Sequence, residues 1–326
     1  MTSAVAERPV SAVSERARAF VAAHVADAET LGVEVAELVG DPSAATVALD
    51  AGLRRLGDDE YREGQQFIAP GIGSVHGVRS PLLAAVGRSF RRATRRDPVT
   101  PLLLFADRLL REEPRELRWF AFGILERLVD REPERSWQLI RRAASEADDW
   151  ITVDTLAHAA DRGILAEPYR WAELEQLVFS PSRWERRLVG STIATMPFVD
   201  HRRGRSAEVV RRGLDLVGQL IGDAEPDVQK ALAWALRSLA MVDRDAAADF
   251  CEREAHTAAV TADGHRAWVI RDALSKLDAG RAAVIRARLD GIRRRAGAPA
   301  TSRASRTAER FREVGLGAPM PEPPLT

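Results

Sequence analysis

Five apolar-periodic runs, starting at Leu117, Asp149, Arg183, Val228 and His265, follow one another at intervals of 32 to 45 residues. They read LRWFAFGILERL, DWITVDTLAHAA, RWERRLVGSTIA, VQKALAWALRSLA and HRAWVIRDALSKL, and several follow a second helical run such as RSWQLIRRAAS or RSAEVVRRGLDLVGQLI. A helix that is apolar along one stripe must bury it on a neighbour, so two helices per period of about 40 residues stack as a HEAT-like solenoid. Strand signals are almost absent. The expected fold class is all-α, an α-solenoid of HEAT-like antiparallel helix pairs in which one helix of each pair lines a concave face.

Helix starts are punctuated consistently. Ser14 is the expected N-cap of the run SERARAFVAAHVADA, and Ser80 caps SPLLAAVGRSFRRATRR with proline at the first helical position. Pro101, Pro114, Pro133, Pro181 and Pro226 open later runs in the same way. The stretch FIAPGIGSVHGVRSP, with three glycines and two prolines, reads as an irregular loop between helices. Residues after Gly297 have few large apolar groups, which predicts a mostly disordered tail with a short helix near Arg303–Val314. The expected organisation is an N-terminal helical extension over 1–40, a repeat domain over 41–296 and the tail over 297–326.

Composition narrows the function classes. The chain has 326 residues, 45% of them apolar, yet no window approaches the roughly 18 to 20 apolar residues of a membrane span, and the N-terminus reads as neither signal peptide nor anchor. A single cysteine, Cys251, excludes an internal disulfide framework and fits a reducing, cytoplasmic setting. The net charge of zero hides a polarised chain. Residues 1–60 carry eleven acids and five arginines, whereas Arg266 to Arg312 holds thirteen basic residues and four acids. Arg79, Arg88, Arg91, Arg92, Arg95 and Arg96 stand in a stretch without an acid. Only Lys230 and Lys276 are lysines, so nearly every cation is a guanidinium, the group suited to bidentate phosphate contacts.

Conventional chemistry-bearing motifs are missing. No Gly-rich phosphate loop, GxSxG elbow or metal-type histidine and cysteine spacing occurs, so neither metal nor cofactor is expected. Cys251 reads as a packed side chain rather than a nucleophile. The tryptophans are more informative: Trp150, Trp184 and Trp234 fall in the repeated runs. Trp150 shares a helical face with Asp154 at i,i+4, and Trp234 shares one with Arg237 at i,i+3.

The order WITVD, then SRWERRLVGSTIA about thirty residues on, then QKALAWALRSLA about forty-five further, resembles the AlkD-type family of HEAT-like alkylpurine DNA glycosylases. The matching positions are Trp150 and Asp154, then Arg187, then Trp234 with Arg237 behind it. Upstream, DEYREGQQFIAPGIG resembles the family's early helix and turn, with Tyr61, Phe67 and Gly71 in comparable places. The resemblance covers roughly residues 45–280. The loop PGIGSVHGV is longer than the family's usual connection, and Ile151 stands where a polar residue can follow the tryptophan.

The resemblance implies a concave DNA-binding face and a monofunctional glycosylase that removes cationic N3- or N7-alkylated purines from duplex DNA. The residues fit that chemistry. A cationic purine is already a good leaving group, so the reaction needs a fixed anion beside the developing oxocarbenium-like sugar and a positioned water, both within the reach of Asp154. Trp150 and Trp234 can pack on the sugar and attract the cationic lesion, by about 0.5 to 2 kcal/mol each. Arg187, Arg237, Lys230 and Arg186 are the expected phosphate contacts, and Tyr61 an expected lesion-side contact. Lys230 reads as a phosphate contact rather than a Schiff-base nucleophile. The alternatives are a DNA-binding relative without excision and a protein-interaction solenoid. The expected setting is a cytoplasmic, nucleoid-associated monomer whose partner is duplex DNA containing alkylated purines.

Overall fold

The computed structural model describes residues 12–313. Among them the fold is all-α, and the only strand-like pairing is an isolated bridge between Gly57 and Val78. No helix among the described residues is long and apolar enough to cross a membrane. The chain forms two compact units, divided between Ile124 and Leu125.

The first unit contains α1 (Ala12–Glu37), α2 (Pro42–Arg55), α3 (Asp59–Ile68), α4 (Ser80–Ala93), α5 (Val99–Leu109) and the start of α6 (Arg115–Leu128). Helix α1 packs on α4 and α2, and α2 packs on α5. Ala28, Leu31, Val35 and Val39 on the later turns of α1 and just beyond it are buried in this unit's core. The first described helix begins at Ala12, which puts Ser14 inside it rather than at its cap. Ser80 is likewise the first residue of α4, and its hydroxyl lies 3.2 Å from the Tyr61 hydroxyl instead of capping the helix.

The glycine-rich connection between α3 and α4 is irregular, as expected, but tightly held. Glu116, fully buried at the start of α6, accepts backbone N–H bonds from His76, Gly77 and Val78 at 3.1, 2.8 and 3.2 Å. Arg115 donates to the Ile72 carbonyl at 2.5 Å. Gly77 has φ +80°, and a Cβ there would lie 2.7 Å from the Asp58 carbonyl oxygen, so both the left-handed conformation and the close approach call for glycine.

The second unit contains α7 (Pro133–Glu146), α8 (Trp150–Ala166), a 3₁₀ turn (Pro168–Arg170) leading into α9 (Trp171–Leu177), α10 (Arg183–Val199), α11 (Ala207–Leu220), α12 (Pro226–Leu239), α13 (Arg244–Thr261), α14 (Gly264–Ala273), α15 (Ala279–Arg288) and α16 (Arg303–Glu313). Here the solenoid logic is plain. Helix α10 lies between α8 and α12, and α12 packs on α14, giving an inner row from the repeated runs. Helices α7, α11 and α13 pack outside it against α8, α12 and α14. At Gly190 a Cβ would lie 2.8 Å from the Ala231 backbone, so a residue without a side chain lets α10 and α12 meet backbone to backbone.

The C-terminal segment departs from the expected disorder as far as it is described. Helix α16 forms over Arg303–Glu313, close to the short helix read from the sequence, and packs on α11. Its buried residues are small, Ala304, Ser305 and Ala308, and it is fastened by polar contacts: Thr301 N–H to the Gly222 carbonyl at 2.8 Å and Ser305 hydroxyl to Asp223 at 2.7 Å. Low hydrophobicity disguised this docking, because hydrogen bonds to buried groups take the place of large apolar side chains. Residues 314–326 of the expected tail lie outside the described residues.

Candidate functional site

Three inner helices of the second unit converge on Asp154. Asp149 caps α8 by accepting the Thr152 N–H at 2.8 Å and the Thr152 hydroxyl at 2.6 Å, which fixes where the helix begins. Trp150 is thereby the first helical residue, and Asp154 follows one turn later on the same face. From the second turn of α10, Arg187 meets Asp154 fork to fork, with Nε to Oδ1 at 3.0 Å and Nη2 to Oδ2 at 2.7 Å. Its Nη1 donates to the Asp227 carbonyl in the first turn of α12 at 2.6 Å, and its guanidinium lies 5.7 Å from the centre of the Trp150 ring.

Ser191 completes the arrangement, donating to Asp154 Oδ1 at 2.6 Å. Sequence reasoning missed Ser191, although it lies four residues after Arg187 and so on the same face of α10. Oδ1 has both lone pairs engaged, whereas Oδ2 accepts only Arg187. The Asp154 side chain keeps 20% of its surface and Arg187 only 6%. The result is a carboxylate held in one orientation with one lone pair available, beside a half-buried indole.

The other predicted residues distribute unevenly. Arg187, the expected phosphate contact, uses each of its three guanidinium nitrogens within the unit, two of them on Asp154. Arg186 departs further from expectation. Its side chain is 2% exposed, paired to Asp223 at 2.8 Å and bonded to the Ser180 carbonyl at 2.8 Å, so it faces the interior and not a DNA phosphate. Arg237 pairs with Asp272 of α14 and donates to its backbone carbonyl at 3.2 Å. Lys230 is exposed, and half-buried Trp234 lies one turn beyond it on α12. Tyr61 belongs to the first unit, where the Arg79 guanidinium lies over its ring at 5.2 Å. Cys251 is buried, and burial pushes its thiol up to about 12, as befits a packed side chain.

Farther along α8, Asp161 is 0% exposed, and neither carboxylate oxygen has a hydrogen-bond partner. Burial holds its carboxyl well above the usual range; the Glu126 carboxylate adds to this, and the Arg162 charge offsets it in part. Between the ordinary aspartate value near pH 4 and the raised folded value, the folded chain keeps a proton that the unfolded chain has lost. Stability contributed by this group therefore falls as pH rises, by up to about 1.4 kcal/mol per pH unit in that window. We expect Asp161→Asn to gain thermal stability relative to the native chain, with a gap wider at pH 8 than at pH 5. A gap independent of pH, measured by thermal unfolding, would show that Asp161 is ionised in the fold.

Residues 49–277 match a protein family described as DNA alkylation repair enzyme, a span that takes in Tyr61, Trp150, Asp154, Arg187, Lys230, Trp234 and Arg237. No curated protein matches the chain.

Proposed function

The chain belongs to the DNA alkylation repair enzyme family, and from that premise we propose that it is a monofunctional DNA glycosylase for cationic N3- and N7-alkylated purines in duplex DNA. The observation that carries the reading is the Asp154 carboxylate, clamped by Arg187 and Ser191 and left partly open beside Trp150. A pre-oriented anion costs no reorganisation when positive charge develops on the deoxyribose, and its available lone pair can hold the attacking water. The base leaves with the electrons of the N-glycosidic bond, its ring charge neutralised, and water adds its oxygen at C1′ and loses one proton through the Asp154 carboxylate to solvent. Trp150 and Trp234 offer π-faces to the cationic lesion and to the sugar edge. Exposed Lys230, one turn before Trp234, supplies a phosphate contact. Action as a monomer on cytoplasmic, nucleoid-associated DNA is part of the same proposal.

The neutralisation of Asp154 by Arg187 favours a second reading, a relative that binds alkylated duplex without excising the base. One experiment separates the two. Purified protein in excess over a duplex carrying a single N7-methylguanine is expected to release the free base and leave an intact, abasic strand. Borohydride is expected to trap no covalent adduct, since a water and not an amine attacks the sugar. Duplex that is bound but yields no free base would favour the second reading.

A further inference from the structure

Beyond the family-matched segment, a short loop carries three consecutive arginines, Arg293, Arg294 and Arg295, between Gly291 and Gly297. Both glycines have positive φ, +74° and +71°, so the loop turns sharply at each end. Its backbone is built into the second unit. Arg271 donates to the carbonyls of Leu289 and Ile292, the latter at 2.5 Å, and His265 Nε2 lies 3.1 Å from the Ala298 carbonyl oxygen. Gly264, the first residue of α14, lies directly beneath: a Cβ there would overlap the Arg293 carbonyl and come within 2.7 Å of the Arg294 Cα.

The side chains are arranged as well. Arg294 donates to buried Gln229 at 2.7 Å and lies 5.3 Å from the centre of the Trp268 ring. Gln229 precedes exposed Lys230 in the first turn of α12, the same turn whose Asp227 carbonyl accepts Arg187. One turn of helix thus touches the Asp154 clamp and also anchors the arginine loop. Arg293 and Arg295 are exposed, and the acid nearest Arg293, Asp290, is 3.8 Å away and open to water.

We propose that the loop 291–297 is a phosphate-contact element, in which Arg293 and Arg295, with Lys230 beside the anchor, hold the duplex backbone past the Asp154 site. The assignment rests on the glycosylase reading for its duplex partner. A fixed loop loses little freedom when its cations meet phosphates, whereas an arginine on a mobile segment must be ordered first.

The test compares binding of an undamaged duplex across a range of salt concentrations. Arg293→Gln with Arg295→Gln is expected to weaken affinity about tenfold at 0.15 M salt and to make the log–log salt slope shallower by about two, since each phosphate contact contributes roughly 0.9. Gly264→Ala keeps every charge but displaces the loop, and is expected to weaken binding in the same direction. A charge-matched control, Arg211→Gln with Arg253→Gln on outer helices α11 and α13, is expected to leave the slope unchanged. A slope unaltered by the loop variant, or altered equally by the control, would overturn the inference. Release of N7-methylguanine is measured alongside. Native protein that binds duplex through the loop without excising supports the inference and removes the glycosylase reading, whereas native protein that does neither removes both.

Discussion

Asp154→Asn is expected to slow single-turnover release of an N7-alkylated base by about tenfold or more, equivalent to at least about 1.4 kcal/mol in the barrier. Asparagine keeps the shape of the side chain but not the charge that stabilises an oxocarbenium-like sugar. The fold makes a second effect unavoidable, contrary to what an open concave-face acid would suggest. Arg187 is 6% exposed and gives two N–H groups to this carboxylate, so the substitution leaves a nearly buried guanidinium without its counter-ion. A loss of about 1 to 3 kcal/mol in stability is expected. Excision is therefore compared with the native chain well below either melting transition. Affinity for undamaged duplex is expected to hold or tighten, because a charge repelling phosphate has gone. Undiminished excision together with the stability loss would reduce the pair to a structural tie between α8 and α10.

Arg186→Ala is expected to have the larger effect on folding, about 3 to 5 kcal/mol, the usual consequence of removing one member of a buried ion pair. Asp223, 1% exposed, would keep only the Ser305 hydroxyl and the Glu225 N–H as donors to its carboxylate. The same carboxylate ties α16 to the repeat, so loosening of the C-terminal segment is expected at lower temperature than the main transition, visible as faster amide exchange around residues 300–308. Duplex binding by the folded fraction is expected to stay unchanged. Normal stability with weakened binding would return Arg186 to the DNA-facing set.

Much of the local geometry follows from sequence rules. The spacing of Trp150 and Asp154 puts them on one helical face wherever the helix lies, and Asp149 is a strong N-cap in any such context. Pro133 and Pro226 open their helices because proline fits the first turn, where no N–H is needed. The repeated apolar runs likewise specify an all-α chain, since period 3.6 cannot serve a strand. Ser14 and Ser80 show the limit of such rules, for a hydroxyl caps only when the helix starts immediately after it.

The partners of these residues are another matter. Asp154 and Arg187 are 33 positions apart, and their pairing depends on the side of α10 that faces α8. Arg186 and Arg187 are adjacent in sequence and alike in chemistry, yet successive residues on a helix point about 100° apart. One guanidinium consequently enters the interior to meet Asp223, and the other reaches across to Asp154. The sequence by itself determined the all-α class and the face shared by Trp150 and Asp154, because those follow from interactions within a few residues. Only the tertiary structure decided which arginine orients the candidate carboxylate and which is buried, because that choice is made by the rotation of α10 between α8 and α12.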